Sequence, residues 1–267
     1  ELDDEYATQL ILGKCIYCEE VNKNSINGID RFDSGENYTK VNSVTSCSIC
    51  NNMKNDFPII TWLHQIEHIL TTHGKINGKL YPDISYDCPN GGQYSVKDRK
   101  SLVKKLDKYE KISKERFEEL CKQKCYYCNK PNIHHQHRNG VDRLDSAFGY
   151  EEGNCVSCCG FCNKIINKYD WDIVINKFLK IYGNTNNILF VEYVINKQLC
   201  YYTLTAEQKY NLKKEYTDGI DSRKQYYIKK MKESRERRGV NKNHNRKKLT
   251  EEDRKKDQSD RKKKSEQ

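Results

Sequence analysis

Eight cysteines in four C-x2-C pairs constrain this chain more than any other feature. Cys15 and Cys18 with Cys47 and Cys50 make one quartet, and Cys125 and Cys128 with Cys159 and Cys162 make a second. Inside each quartet lies a shared string, NGIDRFDS (27–34) and NGVDRLDS (139–146), offset by 112 positions. The same offset carries Tyr38 onto Tyr150, Asn42 onto Asn154, and Cys47, Cys50 and Asn51 onto Cys159, Cys162 and Asn163. The leading pairs match at 110, which leaves two extra residues in the second loop. Self-similarity of this kind identifies a duplicated module, one copy at about 11–53 and the other at about 121–166.

A C-x2-C pair presents two thiolates on one tight turn, and two such pairs complete the tetrahedral four-sulfur shell of a structural zinc site. Two zinc ions are therefore expected, one per quartet. The total of 13 cysteines is odd, so they cannot all pair internally, and no signal-like apolar stretch follows Glu1. A reducing intracellular compartment and metal ligation fit better than secretion and disulfides. Cys88, Cys121, Cys155, Cys158 and Cys200 are left over as ordinary thiols. Cys158 could exchange with Cys159 as a ligand, but Ser46 holds its place in the first copy and favours Cys159.

Hydrophobic residues make up 36% of the chain and charged residues 32%, so any cores are small and zinc has to supply part of the folding free energy. A mean hydropathy of -0.99, with no apolar run near the roughly 18 residues a membrane span needs, argues against a membrane partner. The net charge of +10 is confined to one end. Residues 201–267 hold 22 Lys and Arg against 12 Asp and Glu, and the preceding 200 residues balance at 26 each.

The expected organisation is a first zinc module with its trailing helix at 1–80, a linker at 81–95, a second module with leading and trailing helices at 96–200, and a basic tail at 201–267. Within each module GIDRF or GVDRL reads as a first strand, VNSVTS or NCVS as a second, and a helix opens near Asn51 or Asn163. Residues 96–120 read as helical, with Ser113 as a cap. The apolar spacing of 59–70 and 171–182 predicts two further helices, each packing on its own module. The tail reads as a helix to about Gly239, followed by a polar segment with basic clusters at 246–248, 254–256 and 261–264.

The order C-x2-C, G-[IV]-D-R-x-D-S, Tyr, Asn, C-x2-C-N resembles the zinc-ribboned HNH endonucleases of the ββα-metal class, in the form common in phages and large DNA viruses. The resemblance covers roughly 90 residues, both modules but neither linker nor tail. It implies an α+β fold of small zinc-stabilised tandem ββα-metal modules with flanking helices. It also implies divalent-metal hydrolysis of phosphodiester bonds by Mg2+ or Mn2+, with double-stranded DNA as the partner and a location with DNA in nucleus, nucleoid, virus factory or virion. Carried over by position, Asp30 and Asp142 are metal ligands, Asn42 and Asn154 orienting residues, and Asn51 and Asn163 second metal-side ligands. Arg31 and Arg143 stand where that family places its histidine base. An arginine keeps its proton below about pH 12, so it can stabilise a phosphate but not deprotonate water. Water activation would then fall to the metal or to a carboxylate such as Asp145.

Plainer readings compete at each position. The Asp-Arg pairs could be an internal ion pair or a turn network, with Asn27-Gly28, Asn139-Gly140, Asp33 and Asp145 as turn residues. Asn51 and Asn163 could cap helices. His134, His135 and His137 could reach over the second site or lie in a solvated loop. His64-Gln65-Ile66-Glu67-His68 matches the H-x-x-E-H string of inverzincin proteases, yet it falls in a helix that packing already explains. The alternative to an endonuclease is a catalytically silent tandem zinc module serving as a DNA-binding or packaging protein.

Overall fold

The computed structural model describes residues 2–21, 26–83, 112–132 and 139–219. The chain divides into two units, residues 1–209 and 210–267, so both modules fall within the first. Each module opens on a short helix, α1 (Asp4–Leu12) or α4 (Lys114–Lys122), capped at equivalent positions by Asp3 and Ser113, whose side chains accept from the amides of Tyr6 and Arg116. The leading helix packs on an antiparallel strand pair. β1 (Gly28–Arg31) pairs with β2 (Ser43–Ser46), and β3 (Asn139–Arg143) pairs with β4 (Cys155–Cys159), with Asp30 opposite Val44 and Asp142 opposite Val156. A short helix follows each pair, α2 (Ser48–Lys54) or α5 (Gly160–Ile166). The expected order of strand, loop, strand and helix is present twice.

The Asn-Gly steps are not the tight turns expected. Neither glycine has positive φ. Each asparagine is buried at a strand start and clamps the end of the leading helix: Nδ2 of Asn27 donates to the Gly13 carbonyl at 2.8 Å, and Nδ2 of Asn139 to the Gln123 carbonyl at 2.7 Å. The left-handed positions also recur in register. Glu19 and Asn129, just after the second cysteine of each leading pair, have φ of 59° and 53°, and Asn55 and Asn167, after α2 and α5, have φ of 50° and 58°.

The trailing helices depart from expectation. α3 (Ile59–Thr72) and α6 (Trp171–Gly183) pack against each other, α2 also meets α5, and one apolar core runs through both modules. Trp62 and Ile66 on α3 and Val174, Phe178 and Ile181 on α6 are fully buried in it. Each trailing helix lies partly on its own module, as in the edge contact of Trp62 with Tyr17 at 5.3 Å, and partly on the other. The apolar stripe read from sequence marks which positions are buried but not which module they meet, so its second neighbour left no signal.

α7 (Thr185–Asn196), a 3-10 turn (Tyr201–Thr203) and α8 (Ala206–Asp218) complete the described chain. Among the described residues no helix is long and apolar enough to cross a membrane. Most of the expected linker, the helix from 96 to 111, Cys88, the histidines at 134, 135 and 137, and the basic clusters of the tail lie outside the described residues.

Candidate metal centres and the acids beside them

The four sulfurs of each quartet lie within 4.8 Å of one another, and all eight cysteines are buried. Zinc bonded tetrahedrally to sulfur at about 2.3 Å sets sulfur–sulfur edges near 3.8 Å. Cys18 and Cys47 are 3.8 Å apart, as are Cys128 and Cys159, so the quartets have the size of a structural zinc shell. The second cysteine pair does a further job. Cys47 and Cys159 are the N-caps of α2 and α5, their sulfurs accepting from the amides of Cys50 and Cys162. The caps are therefore cysteines, and Asn51 and Asn163 sit inside the first turns. In the second copy the quartet takes Cys159, and the Cys158 thiol donates to the Cys159 carbonyl at 3.3 Å while also meeting Cys125.

The acidity of the thiols reflects how closely the four sulfurs are packed. Hydrogen bonds from Cys18, Cys47 and Cys50 hold the Cys15 thiol far below its usual range, and those from Cys128 and its neighbours do the same to Cys125. Hydrogen bonding to that thiolate first, and burial with it, pushes Cys50 well above its usual range. Burial first pushes Cys162 up likewise. Four sulfurs this close cannot all ionise unless a cation sits among them. A zinc ion at each quartet would supply that charge.

Each sulfur shell is also reached from the other module. Gln65 on α3 donates from Nε2 to Cys162 at 3.3 Å, and Lys177 on α6 lies 3.4 Å from Cys18 and 3.8 Å from Cys47. Gln65 and Lys177 are 112 positions apart and so occupy one place in the repeat. The flanking charges exchange with them. Glu20 in the first module takes Lys177 and Lys180, and Lys130 in the second approaches Gln65 Oε1 at 3.5 Å. At the helix ends His73 contacts the Tyr127 carbonyl at 3.0 Å, and Asn184 donates to the carbonyls of Ile16 and Tyr17. Outer hydrogen bonds of this type orient thiolates and damp their charge.

Above each zinc shell the first strand turns its aspartate inward. Asp30 accepts from the Tyr17 hydroxyl at 2.7 Å, and Asp142 from the Tyr127 hydroxyl at 3.3 Å. The copies then diverge. Lys54, at the end of α2, lies 3.1 Å from Asp30, and its side chain is 0% exposed. Ile166 holds the matching place at the end of α5. Burial pushes the Asp142 carboxyl above its usual range, against the pull of Arg143 and Tyr127.

The arginines and asparagines brace a loop. Arg143 Nη1 donates to the carbonyls of Ser146 and Phe148 at 3.0 and 3.1 Å, with its guanidinium over Tyr150 at 5.2 Å. Arg31 donates to Glu36 and stacks on Tyr38 in the same way. Asn154 Oδ1 accepts from the Asp145 amide, while its Nδ2 donates to the carbonyls of Asp145 and Gly149. Asn42 repeats the pattern with Asp33 and Asn37. The carboxylates of Asp33 and Asp145 each accept an amide two residues on, from Gly35 and Ala147. Asp145 is thus a turn former. Asn51 is half-buried and Asn163 exposed on their helices.

The H-x-x-E-H string does not assemble a metal site. Nε2 of His68 faces the Cys128 carbonyl at 2.9 Å, and its Nδ1 accepts from the Tyr81 amide at 2.8 Å, so both ring nitrogens are engaged. His64 stacks on Tyr81 with ring centroids 4.1 Å apart.

Three site residues escaped the sequence reading. Tyr17 and Tyr127 were visible as the aromatic before the second cysteine of each leading pair. Lys54 left no repeat signal, because comparing the copies rewards identity and its counterpart is an isoleucine.

No family profile matches the chain, and no solved structure matches it. It is similar to an uncharacterized protein of Acanthamoeba polyphaga mimivirus, 34% identical over 167 residues. That stretch is 62% of this chain and 31% of the mimivirus protein, so the chain spans about a third of the relative's length.

Proposed function

We propose that the protein is an HNH-like endonuclease with two tandem zinc-held ββα modules, hydrolysing DNA phosphodiester bonds with Mg2+ or Mn2+ at the second module. The observation that carries the reading is Asp142. It is a buried carboxylate on a strand backed by a cysteine-capped helix, bonded to Tyr127 and lacking the lysine that balances Asp30. A buried acid of this kind is costly unless a cation completes it, and perturbed acids gather at functional sites. The loop after β3 adds support: it presents Phe148, 59% exposed, where the first copy carries Glu36. An exposed ring beside a phosphate site suits stacking on bases, and the acid does not.

In this reading Asp142 holds the cation and Asn163 assists from α5. A bound Mg2+ or Mn2+ supplies Lewis acidity toward a phosphoryl oxygen and lowers the pKa of a ligand water. Tyr127 orients Asp142 by donating to Oδ2. Arg143 and Asn154 keep the loop rigid, and the guanidinium contributes positive potential toward the phosphate rather than taking a proton. The basic tail adds affinity that falls as salt rises.

A plasmid-nicking assay with Mg2+ or Mn2+ tests this, comparing wild type with Asp142→Asn and Asp30→Asn at unchanged zinc content. Asp142→Asn is expected to lose at least about 100-fold in rate, and Asp30→Asn much less. Nicking that survives Asp142→Asn would overturn the assignment. The silent DNA-binding or packaging protein is favoured by one observation, the engagement of both arginines and Asp145 with loop backbone, which leaves none of them as a base. DNA binding without nicking in any divalent metal would support it.

A further inference from the structure

The Lys54 ammonium is held by oxygen alone. Besides Asp30 it contacts the Arg31 carbonyl at 2.9 Å, the Ser34 hydroxyl at 3.0 Å and the Asn55 carbonyl at 3.5 Å. One carboxylate, two carbonyls and a hydroxyl around a single charge is the donor set of a hard cation. The side chain has no exposed surface, so this charge is a fixed part of the module.

The second copy keeps the residue types that supply these oxygens and drops the ammonium. Asp142, Arg143, Ser146 and Asn167 stand at the matching repeat positions, and Asn167 repeats the left-handed backbone of Asn55. Tyr127 contacts Asp142 as Tyr17 contacts Asp30. Ile166 is as buried as Lys54 but carries no charge, and its shorter side chain ends before the point an ammonium reaches. Ser34 accepts from Lys54 and donates to the Asn55 carbonyl at 3.1 Å, whereas Ser146 donates to the Lys168 carbonyl at 2.8 Å.

We infer that each module has one cation position built from the same four oxygens, filled by the resident Lys54 in the first copy and by a divalent metal ion in the second. The inference rests on the functional reading of Asp142 and deepens it, naming the Arg143 carbonyl, the Ser146 hydroxyl and the Asn167 carbonyl as further ligands. It makes the first module a copy that needs no Mg2+ or Mn2+ beside its cysteine quartet, whose role is to buttress its partner. The duplication thus yields one Mg2+ or Mn2+ site and not two.

The test is Mn2+ binding to the zinc-loaded full chain, followed by electron paramagnetic resonance and calorimetry, with zinc content and circular dichroism as controls of folding. Wild type is expected to bind one Mn2+, and Asp142→Asn none. Ile166→Lys, which moves the ammonium into the second copy, is expected to weaken Mn2+ binding at least tenfold with both zinc ions retained. Lys54→Ile is expected to add a second Mn2+. Should Lys54→Ile fail to fold, Ile166→Lys alone decides. An Ile166→Lys protein that binds Mn2+ like wild type overturns the inference while leaving Asp142 as a metal ligand. A wild type that binds no Mn2+ removes this site and the functional reading together. Mn2+ binding at Asp142 without nicking removes the activity and leaves the cation position standing.

Discussion

Asp142 is the residue at which fold and chemistry pull apart. Its carboxyl is 8% exposed, and burial raises its pKa above the usual 3.8. A carboxyl raised in the folded state favours folding while it keeps its proton. That contribution is complete below pH 3.8 and is lost as pH rises through the raised folded value. At pH 7, without divalent metal, the ionised side chain therefore opposes folding. Asp142→Asn is expected to be more stable than wild type at pH 7 in urea melts without Mg2+ or Mn2+, with the difference shrinking as pH is lowered toward 3.8. Added Mn2+ should reverse the order, stabilising wild type by mass action and leaving the variant unmoved. A variant no more stable than wild type at pH 7 would mean that Asp142 is already compensated.

At the scale of elements, the zinc knuckles show how strictly the repeat is kept and where it slips. The turn after each leading cysteine pair needs a left-handed residue, which the second copy meets with Asn129 and the first with Glu19. Asparagine tolerates this backbone, whereas an ordinary L-residue is strained there by roughly 1–2 kcal/mol. Glu19→Asn is therefore expected to stabilise the protein by about 1 kcal/mol, read as a rise in the urea midpoint at saturating zinc. An unchanged midpoint would show that Glu19 carries no such strain. These elements were the most legible part of the chain. Spacing placed the eight sulfurs, the duplicated GIDRF and GVDRL segments placed the first strands, and Ser113 announced its helix. The duplication also singled out Arg143 and Asn154, but as chemistry, whereas both are engaged with loop carbonyls that no pattern displays. An asparagine that caps and one that staples a loop look alike in sequence, since only the backbone within reach separates them.

On the scale of the whole molecule, the crossing of α3 and α6 changes what a module is. Each trailing helix begins beside its own zinc shell and sends a donor to the other, Gln65 to Cys162 and Lys177 to Cys18. His73 and Asn184 close the exchange at the helix ends. Separating the copies would uncover part of the surface of Trp62, Ile66, Val174, Phe178 and Ile181, each fully buried in the intact chain. At about 1.5–3 kcal/mol per fully exposed large apolar side chain, about 10 kcal/mol is the upper bound on the loss, on the order of the stability of an ordinary domain. The two cysteine quartets then belong to one cooperative body. Fragments 2–83 and 112–209, each loaded with zinc, are expected to lack a cooperative melt alone and to recover one when mixed. In the intact chain, Cys125→Ser should release the first module's zinc to a chelator at least tenfold faster, although Cys125 lies in the other copy. Independent melting of either fragment, or a first zinc indifferent to Cys125→Ser, would show that the modules are neighbours rather than halves of one core.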